Sequence, residues 1–141
     1  MEKERNLPLQ LDNEMGFTLY ACSKELIRKY YTPVLERLEL TYTAYLAMLA
    51  LWEQDGVRVS DLGKRLYLDS GTLTPLLKKM EKQGFVERRR SEEDERTVRI
   101  FLTAQGRALR ERAKPLLATL RHTLPDAPAL FTQLKNLLRG L

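Results

Sequence analysis

The chain has 141 residues, 43% of them apolar and 30% charged, with a formal net charge of +5, one cysteine and one histidine. That length fits one compact domain with helical extensions, and that composition excludes a mainly disordered chain. A single cysteine excludes an internal disulfide framework, and with one histidine it falls short of the soft ligands of a zinc site, so no metal and no cofactor are expected.

The start, Met1 to Asn6, alternates acid and base and lacks the apolar stretch of a signal peptide. The longest apolar run, Ala44 to Trp52, is far short of the roughly 20 residues of a membrane helix. A cytoplasmic protein without a membrane partner is expected, its thiol kept reduced.

Leu11 to Tyr31 reads as a long helix opened by Asp12 or Asn13, with Met15, Leu19, Cys22 and Leu26 forming one apolar stripe. Pro33 and the run to Leu40 form a short second helix or turn. Thr41 caps a helix over Thr43 to Glu53 that is apolar on nearly every side and therefore central to the core, and Asp55-Gly56 ends it. Ser60 caps a short helix, Asp61 to Leu66. Tyr67, Leu68 and Asp69 make a turn, and Ser70 opens a second helix with Leu73, Leu76, Leu77 and Met80 inward. Pro75 is tolerated near that helix's N-terminal turn, and Gly84 stops the helix.

After Gly84 the apolar period changes from that of a helix to that of a strand. Phe85 to Arg90 and Thr97 to Leu102 form a hairpin with the polar tip Ser91 to Arg96. Thr103 caps a helix running toward His122, which Pro115 is expected to kink, and a Pro-rich turn leads to a last helix carrying Leu130, Leu134, Leu137 and Leu138. The fold class is thus mainly α with a β-hairpin wing (α+β): a winged helix-turn-helix over residues 41–102, with helices 11–40 and 103–141 outside it in one domain, 1–141. The outer apolar stripes need a partner, and a second copy is the simplest.

Arg58 to Arg90 hold nine bases and four acids, a net of +5, so the other 108 residues sum to zero. A positive excess confined to one stretch is the footprint of a face that meets a polyanion. With its leucines inward, the helix after Ser70 presents Thr72, Thr74, Lys78, Lys79 and Lys82, short hydroxyls for base edges and lysines for phosphates. On the hairpin lie Arg88, Arg89 and Arg90, and Asp94 stands two residues before Arg96, where its carboxylate can hold that guanidinium extended for the minor groove. The candidate DNA contacts are Ser70, Thr72, Thr74, Lys78, Lys79, Arg88, Arg90, Asp94 and Arg96.

The run from Leu68 to Glu81, LDSGTLTPLLKKME, with RSEEDER from Arg90 to Arg96 and Leu102-Thr103, resembles the MarR family of dimeric winged-helix repressors. Within that family it is most similar to the branch that senses organic hydroperoxides, which Leu40-Thr41-Tyr42, Tyr45-Leu46 and Leu51-Trp52-Glu53 also fit. The resemblance implies a homodimer interlocked by its terminal helices, recognition helices in successive major grooves of an inverted repeat in double-stranded DNA, and Arg96 in the minor groove. It also implies a reactive cysteine near the start of the first helix, in an Asn-x-x-Cys-Phe context. This chain reads Asn13-Glu14-Met15-Gly16-Phe17, so Gly16 replaces the cysteine.

The tyrosines implied around that thiol remain as Tyr20, Tyr31 (or its neighbour Tyr30) and Tyr42. Gly16 and Tyr31 are about 22 Å apart along one helix, so they share a pocket only if Tyr31 comes from the other subunit. Cys22, about 9 Å further along and about 120° around from Gly16, sits on the apolar stripe, where core packing is the expectation and a redox role the alternative. The expected activity is sequence-specific repression with altered or lost cysteine sensing, the inducer being a small molecule or a hydroperoxide. The competing classes are a thiol-dependent peroxide-handling protein using Cys22, disfavoured because no resolving cysteine accompanies it, and a winged-helix module that has lost DNA. No enzyme is expected.

Overall fold

The structure, a computed structural model, describes residues 7–141, and the charged start Met1 to Asn6 lies outside them. Leu11–Asn13 form a single 3-10 turn, and α1 (Met15–Leu26) begins after it. Neither Asp12 nor Asn13 caps α1. Glu14 holds the capping position without a side-chain hydrogen bond, while the Asn13 amide donates to the Pro8 carbonyl (3.0 Å). Nor does the helix stop at Tyr31: a π-helical turn, Ile27–Tyr31, passes directly into α2 (Thr32–Glu36), where Pro33 sits in the first turn.

Thr41 caps α3 (Tyr42–Glu53), its hydroxyl accepting the Ala44 N–H (3.2 Å). The apolar character of α3 on all sides places Ala44, Ala47, Met48, Ala50 and Leu51 inside the core. After Gly56 comes a strand that periodicity does not reveal, β1 (Val57–Arg58), and α4 (Val59–Leu66) starts straight after it. Ser60 therefore lies within α4 rather than capping it. Arg58 occupies the cap position with no side-chain bond.

Asp69, not Ser70, caps α5 (Ser70–Lys82): its Oδ1 accepts the Thr72 N–H at 2.8 Å. A carboxylate at the cap also meets the positive end of the helix dipole, an advantage the neighbouring serine lacks. Pro75 lies in the second turn, where its missing N–H leaves the Gly71 carbonyl without the usual donor. At the far end Gly84 takes φ +83°, its N–H bonds to Glu81 O (3.0 Å) and the Phe85 N–H to Met80 O (3.1 Å), closing the helix and turning the chain into the sheet.

The sheet is antiparallel in the order β1-β3-β2, with β2 at Val86–Arg90 and β3 at Val98–Leu102. Val86 pairs with Leu102 and Arg90 with Val98, while Val57 pairs with Ile100 across the other edge. The hairpin strands are each one residue shorter than expected, leaving Phe85 and Thr97 outside them. Thr103 caps α6 (Ala104–Thr123), accepting the Gly106 N–H (3.0 Å), and α6 runs through Pro115 as one element. The last helix is α7 (Pro128–Gly140).

Leu35 and Leu38, the α3 residues, Leu62, the inner face of α5, Ile100 and Leu109 form one buried cluster, and the Trp52 indole ties α3 to α6 by donating to Gly106 O (3.0 Å). α1 and α7 contribute no buried residue. Met15, Phe17, Leu19 and Leu26 on α1 and Leu130, Phe131, Leu137 and Leu138 on α7 are all exposed. The winged helix-turn-helix is thus packed, and the terminal helices carry apolar faces that one chain leaves uncovered.

Candidate nucleic-acid interface

Leu73, Leu77 and Met80 are buried, and that anchorage fixes which side of α5 meets solvent. At 100° per residue, Gly71, Pro75, Lys78 and Lys82 occupy the middle of the outer face, with Thr72 and Thr74 on opposite flanks. Lys78 and Lys79 are exposed and make no ion pair among the described residues. Ser70 opens the helix, exposed, while Thr74 is half-buried toward the wing. Gly71 and Pro75 were not expected at the centre of this face; being short, they let the backbone itself approach a partner.

In the wing, Asp94 does a different job from the expected one. Its Oδ1 accepts the backbone N–H of Arg96 (3.0 Å), its Oδ2 accepts from the Thr97 hydroxyl (3.4 Å), and its carbonyl accepts the Thr97 N–H (2.9 Å). The carboxylate thus orders the tip's backbone rather than the guanidinium, and the Arg96 side chain has no partner among the described residues. Arg90 spans the hairpin to Glu95 O (3.3 Å).

Arg88 is half-buried. Glu81 on α5 accepts both the Arg88 backbone N–H (3.0 Å) and its guanidinium (3.5 Å), which fastens the wing to the recognition helix. Arg89 pairs with Glu87 (3.0 Å) and lies over the Phe101 ring. That bond to Arg89 holds the Glu87 carboxyl below the usual range.

The tyrosines behave differently from one another. Tyr31 and Tyr42 meet edge to face with ring centres 5.0 Å apart, and Tyr45, which is not among the tyrosines expected there, completes the cluster at 6.4 Å and 6.2 Å. Burial, then the neighbouring Tyr31, raises the Tyr42 and Tyr45 phenols above their ordinary pKa. Gly16 and Tyr20 do not join this cluster. Tyr20 is exposed with the Lys24 ammonium donating to its hydroxyl (3.3 Å), and a Cβ on Gly16 would meet nothing within 4 Å. Cys22 is exposed, as is the rest of its stripe, so its expected burial does not occur within one chain.

No helix among the described residues is long and apolar enough to cross a membrane, and no cluster of three or more acidic, histidine or cysteine side chains stands ready for a metal.

Residues 40–98 match the model of the MarR family. The chain is 47% identical over 133 residues to the organic hydroperoxide resistance transcriptional regulator of Bacillus subtilis (strain 168), covering 94% of this chain and 90% of that protein. Among solved structures it is similar to reduced AbfR bound to DNA (TM-score 0.80, 31% identity, covering 99% of this chain and 97% of that one). It is also similar to the M. tuberculosis transcriptional regulator MOSR in complex with DNA (TM-score 0.76, 27% identity, covering 90% and 95%).

Proposed function

The chain belongs to the MarR family, and from that premise we propose that it is a transcriptional regulator of the cytoplasm that binds an inverted repeat in double-stranded DNA as a homodimer, and that it is not an enzyme. The observation that carries this reading is the outer face of α5: unpaired lysines and short residues on a helix whose apolar side is locked in the core, beside a wing arginine left free at an ordered tip. In this reading Ser70, Thr72 and Thr74 approach bases and phosphates, Lys78 and Lys79 neutralise the backbone, and Arg96 enters the minor groove. Residues 41–102 read DNA, and 11–40 with 103–141 supply the dimer frame. The uncovered apolar faces of α1 and α7 favour that second copy.

The test is selection of duplexes from a random pool followed by titration in salt. An enriched palindromic sequence and a slope of log K against log salt that shrinks by about one unit in Lys78→Ala support the reading. No enrichment by the wild-type protein refutes it.

For the signal, the reading is a MarR regulator whose cysteine chemistry is altered. Gly16 and Tyr20 of one subunit would face the partner subunit's Tyr31 and Tyr42, giving a site for a small ligand. Stoichiometric release of DNA by cumene hydroperoxide, abolished in Cys22→Ser, would overturn it.

A further inference from the structure

Between α5 and the wing runs an open cleft of about 370 Å³ lined by Arg58, Ser60, Thr74, Arg88, Arg96 and Thr97, with no acidic side chain on its walls. Three arginines on one cleft make it strongly basic, and among the described residues only Arg88 has a carboxylate partner, Glu81. The cleft has further unspent donors. α4 begins at its rim with no side-chain cap on its first N–H groups, whereas the Arg88 Nε, though unpartnered, is shut off from solvent and so is not a donor to the cleft. Glu81 does not line the cleft and is occupied by the Arg88 backbone N–H and guanidinium.

We propose that this cleft seats the sugar-phosphate strand that separates the two grooves read by the protein, with Arg58 and Arg88 as its phosphate ligands. The inference rests on the DNA-binding reading and deepens it. A helix in the major groove and an arginine in the adjacent minor groove have one backbone strand between them, and that strand has to cross the crease between α5 and the wing. Arg58 enters through β1, whose pairing with β3 at Arg99 carries it to the wing side. Arg88 is fixed to α5 through Glu81. A phosphate held by both sets the register of the major-groove contacts against the minor-groove contact, and it does so without reading sequence.

The experiment uses the full-length protein, a duplex enriched by the wild type and a scrambled duplex of the same length. Arg58→Ala is expected to weaken both complexes by a similar factor, about tenfold, to leave their ratio unchanged and to reduce the salt slope by about one unit. Arg58→Lys should restore the slope. A neutral methylphosphonate at the single phosphate between the grooves should weaken wild-type binding and add nothing further in Arg58→Ala.

Arg88→Lys, which keeps the charge but not the planar guanidinium, serves where Arg88→Ala fails to fold, and it should lose affinity on both duplexes with the slope preserved. An unchanged slope in Arg58→Ala, or additive effects of the variant and the methylphosphonate, would overturn the proposal while wild-type enrichment still upheld the DNA-binding reading. Failure of the wild type to enrich any duplex would instead remove the reading beneath it.

Discussion

Gly106 in the first turn of α6 is where the dimer frame meets the wing, and replacing it with alanine tests how tightly the two are joined. In an open helix Gly→Ala stabilises by about 1 kcal/mol. Here an added Cβ would stand 2.1 Å from the Phe85 carbonyl oxygen and 3.3 Å from Leu102 Cδ2. Contacts under 3.0 Å essentially do not occur, so the helix has to withdraw by at least 0.9 Å, the difference between 3.0 and 2.1. It cannot do so freely. The same Phe85 oxygen accepts the Thr103 N–H (3.1 Å), and Gly106 O accepts from Trp52 (3.0 Å). Overpacking costs about 1–3 kcal/mol, and two strained hydrogen bonds add about 1 kcal/mol each, so after the propensity gain Gly106→Ala should lose about 2–4 kcal/mol. The assay is urea unfolding followed by circular dichroism, at fixed protein concentration because a dimer's stability depends on it. A variant as stable as the wild type would refute the reasoning.

Asp94→Ala should leave the unfolding midpoint within about 0.5 kcal/mol, since its bonds lie at an exposed tip, yet weaken DNA binding several-fold by disordering the Arg96 backbone; anisotropy titration beside urea unfolding separates the two effects. Tyr67 holds φ +57° and is 74% exposed, so Tyr67→Gly should stabilise the fold by about 1 kcal/mol by relieving left-handed strain, and a lower midpoint would contradict this. Tyr42 and Tyr45 have phenols raised in the folded state, chiefly by burial. Their contribution is therefore complete below the ordinary tyrosine value of about 10 and is lost as pH rises through the higher folded value. Stability should decline from about pH 10 up to that higher folded value, and the double variant Tyr42→Phe, Tyr45→Phe should flatten the decline.

Thr41 and Thr103 were legible as caps because each stands alone before an apolar run, with its partner amide three residues on. Ser70 was misassigned because Asp69 beside it competes for the same amides and wins with a charge. β1 was invisible because two residues cannot show a period, and it exists as a strand only through pairing with β3, some 40 residues away. The Asp94 error was one of atoms rather than of place. An aspartate readily accepts the N–H two residues ahead, and that local bond outcompetes a solvated guanidinium. Tyr45 hid in a helix that is apolar all round, where periodicity has no face to point to. The exposure of Cys22 follows from a stripe that lacks a partner within the chain, which no single-chain pattern distinguishes from core.

The charge count was correct in sum and silent on direction. Of the nine bases between Arg58 and Arg90, Arg65 pairs with Glu53, Arg88 with Glu81 and Arg89 with Glu87, while Asp69 is spent on a helix cap. These pairings leave the net charge unchanged but sort its carriers: Asp69, Glu81 and Glu87 are taken up by structural bonds, and Arg58, Lys64, Lys78, Lys79 and Lys82 are exposed with no side-chain bond among the described residues. Exposed ion pairs contribute little to stability, so the pairing matters more for aim, because each carboxylate engaged on the protein is one fewer repelling a phosphate. Affinity then rests on the free cations and falls with salt. Specificity rests on the short side chains of α5 and on the spacing between α5 and Arg96. Glu81, Asp94 and Gly106, which hold the wing, its tip and the frame in place, maintain that spacing.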